Sequence, residues 1–265
     1  MIGTFQRLFP GAPTTWVGRV HQDVDDLFNG RHRAYCPLDL HYHDQRHTLM
    51  ATVCMVLLLE GYQNTHSHES LSARDFELAV ASVLLHDTGY AKLREDTQGT
   101  GAKYTFCHIV RSCAFAASYL PDVGATDAEV EGVLAAINCT GPTSEIARLR
   151  FRNEGARFVG CALATSDYLG QLSDPLYPTK LGQLFREFEE SDTFSNVPLQ
   201  QRAFRSEQDL VRRTPGFWRN LVKPKLDRDF QGVYRFLARP APEGPNPYME
   251  AVEANIARIE RAGAA

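Results

Sequence analysis

The sequence predicts an all-α fold, and three observations carry that prediction. A chain of 265 residues with 43% hydrophobic and 23% charged residues has the profile of a folded globular protein with a full core. Almost every long segment repeats its apolar residues at three- and four-residue spacing, the period of a helix with one buried face. No convincing alternating segment lies between hairpin turns, as a half-buried strand would require.

The elements follow in order. Trp16, Val20, Val24 and Leu27 form one stripe, which Asn29-Gly30 stops. Leu49, Val53, Val56 and Leu57 outline a second helix, with Glu60-Gly61 as its exit. Ser72 caps a third, whose apolar residues run from Phe76 through Leu84 into His86, and Gly89 marks the break. A fourth spans 104–120 and stops at Pro121. Thr126 with Glu129 forms a capping box for a fifth, which ends at Ile137. A sixth runs over 154–172. Segments 178–190, 198–213 and 217–237 also read as helical, the last interrupted at Pro224. These readings make residues 1–237 one helical domain. Segment 238–247, with four prolines, is a Pro/Gly-rich linker to a C-terminal helix within 248–265.

Composition excludes several classes of function. Lysine and arginine total 28 against 32 acids, a formal charge of −4 with no basic run, so extended nucleic acid is not an expected partner. The most apolar stretch, 49–59, is too short to cross a bilayer, and the N-terminus lacks the pattern of a secretion signal. Cysteines 36, 54, 107, 113, 139 and 161 form no CxxC pair. They read as reduced core residues in a cytoplasmic protein.

Chemistry concentrates in the histidines. Six of the nine (41, 43, 47, 66, 68 and 86) fall between positions 41 and 86. His43 and His47, four apart at a predicted helix start, are expected to share one face. His86-Asp87 closes a strongly apolar helix, and Asp167 sits in another apolar segment, 158–172. A carboxylate in such a place is costly to desolvate unless a cation or donor meets it. His47, His86, Asp87 and Asp167 would make a four-ligand set for a divalent manganese, magnesium, iron, zinc or nickel ion, with positions open for water. The ordinary readings are a surface or core-edge role for His43 and His47, a helix-end hydrogen bond for Asp87, and a pair with Arg150 or Arg157 for Asp167. His41, His66 and His68 are read as ordinary, the last two solvated in a polar loop.

The order Tyr42-His43-Asp44-Gln45-Arg46-His47, then Leu84-Leu85-His86-Asp87-Thr88-Gly89, then Ala164-Thr165-Ser166-Asp167 resembles the HD superfamily of metal-dependent phosphohydrolases. The first element looks like the YHNxxH signature of cyclic nucleotide phosphodiesterases, with Asp44 in place of asparagine. The resemblance covers about 41–190. It implies an HD-domain-like helical bundle with additional C-terminal helices, and one or two divalent ions held by His47, His86, Asp87 and Asp167. It also implies that His43 protonates a leaving oxygen and that His108 contributes to a second ion. Tyr90 departs from the histidine or lysine found at that place in two branches. Residues 137–140 lack the further histidines of the cyclic-dinucleotide branch, and the HD-type iron oxygenases also have more histidines than this sequence offers.

The function expected is therefore hydrolysis of a small, nucleotide-like phosphate mono- or diester by metal-activated water. Asp87 would ligate and orient that water, and His43 would move the proton. Lys92, Arg94, Lys103 and Arg111 are possible phosphate clamps, although solvated basic side chains are the commoner case. Two alternatives remain: a catalytically silent nucleotide-binding module on the same scaffold, and an HD-type iron oxygenase.

Overall fold

The computed structural model of the chain describes residues 1–66 and 71–263. Ten α-helices are present among them: α1 (Ile2–Leu8), α2 (Thr15–Phe28), α3 (Gln45–Thr65), α4 (Ala73–Leu85), α5 (His108–Asp122), α6 (Asp127–Ile137), α7 (Glu154–Leu172), α8 (Tyr177–Phe194), α9 (Glu207–Phe217) and α10 (Pro247–Gly263). No strand occurs among the described residues, where one isolated antiparallel bridge joins Tyr35 to Leu93. The fold is all-α. No helix among the described residues is long and apolar enough to cross a membrane.

Helices α3 and α7 form the central pair. A Cβ on Gly170 would lie 2.8 Å from the backbone N and Cα of Ala51, so only glycine lets the two axes come this close. Helices α4 and α6 cover one side of the pair. Helix α10 packs on α7, α8 and α9 through Val252, Ile256 and Ile259, which join the same core as Phe5, Met55, Phe76, Leu163 and Trp218. Each of these large apolar side chains contributes about 1.5–3 kcal/mol on burial. Trp218 and Phe230 are fully buried, whereas Phe194 is half exposed.

Local signals set most helix starts. The Thr126–Glu129 capping box forms as expected, and the Ser72 cap proves to be a box as well, closed by Asp75. Asn153 caps α7 by accepting from the Ala156 N–H at 2.8 Å. Other boundaries differ from the sequence reading. Glu60-Gly61 does not end α3, which continues to Thr65, and Gly61 lies inside the helix against the carbonyl of Phe236. Helix α5 starts at His108 rather than 104, after a 3₁₀ turn at Gly101–Tyr104, and carries Pro121 within its last turn. Segment 198–213 divides into a short 3₁₀ turn at Leu199–Gln201 and then α9. Residues 217–237 wind through two π turns, Trp218–Val222 and Lys225–Asp229, and a 3₁₀ turn, Val233–Leu237.

Candidate metal centre

Four elements converge on one point. The Asp44 side chain caps α3 by accepting from the His47 N–H at 2.8 Å, which places His47 in the first turn. His43 therefore lies outside the helix, and the expected pairing of 43 and 47 on one helical face does not occur. Their rings still come within 5.4 Å, because the 41–43 backbone folds over the start of α3. His86 ends α4 and Asp87 opens the 3₁₀ turn Thr88–Tyr90, while Asp167 projects from the middle of α7. A Cβ on Gly89 would lie 2.0 Å from the His108 carbonyl, so the turn after Asp87 can rest directly on the start of α5.

Nε2 of His47 lies 3.2 Å from Asp87 Oδ2 and 3.2 Å from Asp167 Oδ1. Nε2 of His86 lies 3.3 Å and 3.6 Å from the same two oxygens. His47, His86 and Asp167 each offer a ligand atom within 4.8 Å of the others. Asp167 thus faces two imidazoles and not Arg150 or Arg157. His108 stands at the edge, with Nε2 3.8 Å from Asp87 Oδ1.

These contacts have the distances of ion pairs. His47 Nε2, His86 Nε2 and Asp87 Oδ2 are all buried without a hydrogen-bond partner. Leaving such an atom unsatisfied costs about 1–3 kcal/mol, and three that face one another suit a shared cation. His86 donates from Nδ1 to the Val83 carbonyl at 2.7 Å, and His108 does the same to Thr105 at 2.7 Å. Each ring therefore presents Nε2 as its free lone pair. The C-terminal end of α4 adds negative potential at the same place. Two imidazole nitrogens with two carboxylate oxygens fit a divalent ion of the zinc, iron, manganese or nickel type.

The charges are strongly linked. Burial opposes ionisation of Asp87, yet His86 and His47 hold its carboxyl far below the usual range; His47 and His86 do the same for Asp167. Burial also opposes protonation of His47, but Asp167 and Asp87 outweigh it and push the imidazole up to about 10. His86 is raised for the same reason, against its own burial. Burial dominates at His108, which is lowered and so stays neutral more readily.

Glu187 of α8 is the site residue that the sequence reading missed. Its Oε2 lies 2.6 Å from His43 Nδ1, and its Oε1 accepts from the backbone N–H groups of His41, Tyr42 and His43. An ionised carboxylate can only accept, so Nδ1 of His43 carries the proton of this bond. Gln171 joins the Tyr42 hydroxyl to Asp167 Oδ1, steadying that carboxylate from behind. Glu187 lies in a stretch rich in glutamate, and no spacing sets it apart from Glu189 or Glu190.

The four basic clamp candidates are already engaged. Lys92 binds the Gly99 carbonyl and Asp39, and Lys103 binds Asp96 and the Gln98 carbonyl. Arg94 holds the carbonyls of Gly30, His32 and Arg33. Arg111 holds those of Gly89 and Ala91 and stacks on Tyr104. His41 is exposed, as expected. His66 is instead half-buried, stacked on Tyr62 at the end of α3, and His68 lies outside the described residues. All six cysteines are free; 54, 139 and 161 are buried, whereas Cys36 and Cys113 are half-buried and Cys107 is exposed, so Cys107 is not a core residue.

The sequence pattern of the Npun_R2479-like family matches residues 33–260, most of the chain and every residue of the cluster. The chain belongs to the Npun_R2479-like family. This family has no established function, and the match does not tie it to the HD superfamily. None of the curated proteins compared with it matches. In this Npun_R2479-like chain the titratable side chains meet most closely at the His/Asp cluster.

Proposed function

We propose that this protein is a metal-dependent phosphohydrolase with an HD-like helical core, acting on a small phosphate ester of the nucleotide-like class. The observation that carries this reading is the meeting of His47, His86, Asp87 and Asp167 from four separate elements, with both imidazole Nε2 atoms and one carboxylate oxygen unsatisfied. His47, His86, Asp87 and Asp167 would hold one ion, and His108 with Asp87 would support a second. A bound divalent ion supplies Lewis acidity, which neutralises charge on a phosphoryl oxygen and acidifies water.

The chain's own residues do the rest. Glu187 fixes the Nδ1–H of His43, leaving Nε2 to take or give the proton that a leaving oxygen needs. Imidazole suits that task near neutral pH. Asp87, in contact with both imidazoles, orients the attacking water. Because the four nearby basic residues are bound internally, none of them is free to clamp a polyphosphate, which favours a substrate with a single phosphoryl group. Six free cysteines agree with a reducing cytoplasmic setting.

The test is elemental analysis of purified protein, then phosphate release from mono- and diesters with manganese, iron, nickel, zinc and magnesium supplied in turn. Release with at least one ion, lost in His86→Ala and Asp87→Ala, supports the reading. No bound ion and no turnover across the panel overturns it. A silent binding module, the reading favoured by the buried Tyr90 beside His43, would show a nucleotide retained and unhydrolysed.

A further inference from the structure

Tyr90 lies directly beneath two of the site's imidazoles. Its ring is stacked with His43 at 4.8 Å and 21°, and with His108 at 4.5 Å and 12°. The two imidazoles are 6.2 Å apart. Stacked on opposite faces of the phenol they would be at least about 7 Å apart, two carbon contact distances. Both therefore lie over the same face, side by side. Tyr90 itself is only 1% exposed, packed with Leu40 and Ala102. Its hydroxyl sits beside Thr105 without a well-formed hydrogen bond. A phenol so enclosed presents its ring face, not its hydroxyl, to the two imidazoles.

Each imidazole is tied at one nitrogen, His43 to Glu187 and His108 to the Thr105 carbonyl. One hydrogen bond leaves a histidine ring free to rock, since the terminal torsion of this side chain is broad. Offset stacking on a buried ring restricts that motion. We propose that Tyr90 is a positioning residue, a shared aromatic platform that sets the ring planes of His43 and His108 together and so aims both Nε2 atoms at the cluster. The link to catalysis rests on the hydrolytic reading above, whereas the platform itself does not.

The decisive comparison is Tyr90→Phe against Tyr90→Leu, read first by proton–carbon NMR of the imidazoles, with His43→Gln and His108→Gln assigning the signals. Protons above an aromatic face are shifted upfield, so both histidines should show that shift in the native protein and in Tyr90→Phe, and lose it in Tyr90→Leu. Where Tyr90→Leu does not fold, Tyr90→Met, which fills the volume without a ring, is read in the same way. Turnover is expected to fall about 10²-fold in the ring-less variants, as a misplaced reacting group can cost, with KM and the ion held by His47, His86, Asp87 and Asp167 little changed and Tyr90→Phe near native. Unshifted imidazoles in the native protein, or shifts that persist in a folded ring-less variant, overturn the platform. Loss of turnover in Tyr90→Phe equal to that in the ring-less variants would assign the role to the hydroxyl and overturn it too. If the native protein hydrolyses nothing, the hydrolytic reading fails, while the NMR shifts still decide the platform.

Discussion

Glu187 Oε2 and His43 Nδ1 meet at 2.6 Å across 144 residues of sequence. The same carboxylate receives three successive backbone N–H groups, at His41, Tyr42 and His43. One side chain of α8 thus both shapes the segment that enters α3 and orients the imidazole expected to move a proton.

Glu187→Gln and Glu187→Leu separate those two roles. Glutamine keeps an oxygen for the backbone donors but loses the charge opposite His43, so its fold should be nearly as stable while turnover falls about 10²-fold or more, the usual span of proton-transfer help. Leucine leaves the N–H groups unsatisfied and should cost about 1–3 kcal/mol as well. Thermal unfolding beside phosphate release distinguishes them. Equal stability of the leucine variant and the native protein would refute the backbone role.

Ion binding should be visible without any substrate. A ligand that binds the folded state alone stabilises it by about 2.7 kcal/mol at a hundredfold excess over its Kd. Ion-free protein titrated with manganese, zinc or nickel is expected to show a rising Tm with at least one of them. His86→Ala, Asp87→Ala and Asp167→Asn should abolish that rise. His43→Ala should retain it while losing turnover, because His43 is held by Glu187 and lies outside the ligand group.

Acid sensitivity has a distinct source at the N-terminal end of α4. The Arg74 guanidinium, hydrogen-bonded to Glu129 at 2.6 Å and 3.2 Å, lowers its carboxyl to about 2 from an ordinary value of 4.5. A depressed folded-state value means the pair stabilises the fold fully above about pH 4.5, and that this stability is lost as pH falls through about 2. Glutamine at 129 can still complete the capping box with Thr126 but carries no charge. Glu129→Gln should therefore lower the urea midpoint at pH 6, with the gap to the native protein closing between pH 4.5 and 2. A gap that is constant with pH would remove the charge argument.

Much of this was legible in the sequence, because helix periodicity and capping are local. Ser72 and Thr126 each sit three residues before an acid, and both boxes form. His47, His86, Asp87 and Asp167 were readable as a set because burying an acid in apolar company demands a partner. Less legible was whatever depends on a distant contact. Gly61 has the look of a helix exit, yet it serves close packing against Phe236, 175 residues further along the chain. Glu187 is one glutamate among several until α8 is laid beside the 41–43 segment. Tyr90 reads as a departure from a histidine or lysine, and only the stacked rings show what an aromatic residue does there.

The spacing of α3 and α7 couples the core to the cluster, and Gly170→Ala tests that coupling. In an isolated helix this change favours α7 by about 1 kcal/mol. Here the new methyl would meet Ala51 backbone atoms at 2.8 Å, and helix backbone cannot rotate out of the way as a side chain can. Overpacking of this kind costs about 1–3 kcal/mol, so the net effect should be a loss of stability despite the better propensity. The helices must part, and Asp167 lies one turn before Gly170 on α7 while His47 lies one turn before Ala51 on α3. Separation at 51 and 170 therefore carries the two ligand side chains apart. A lower Tm together with weaker ion binding is expected, measured by thermal unfolding with and without the ion. A lower Tm with unchanged ion affinity would show that the cluster tolerates the shift, and a higher Tm would show that α3 and α7 are not in contact as described.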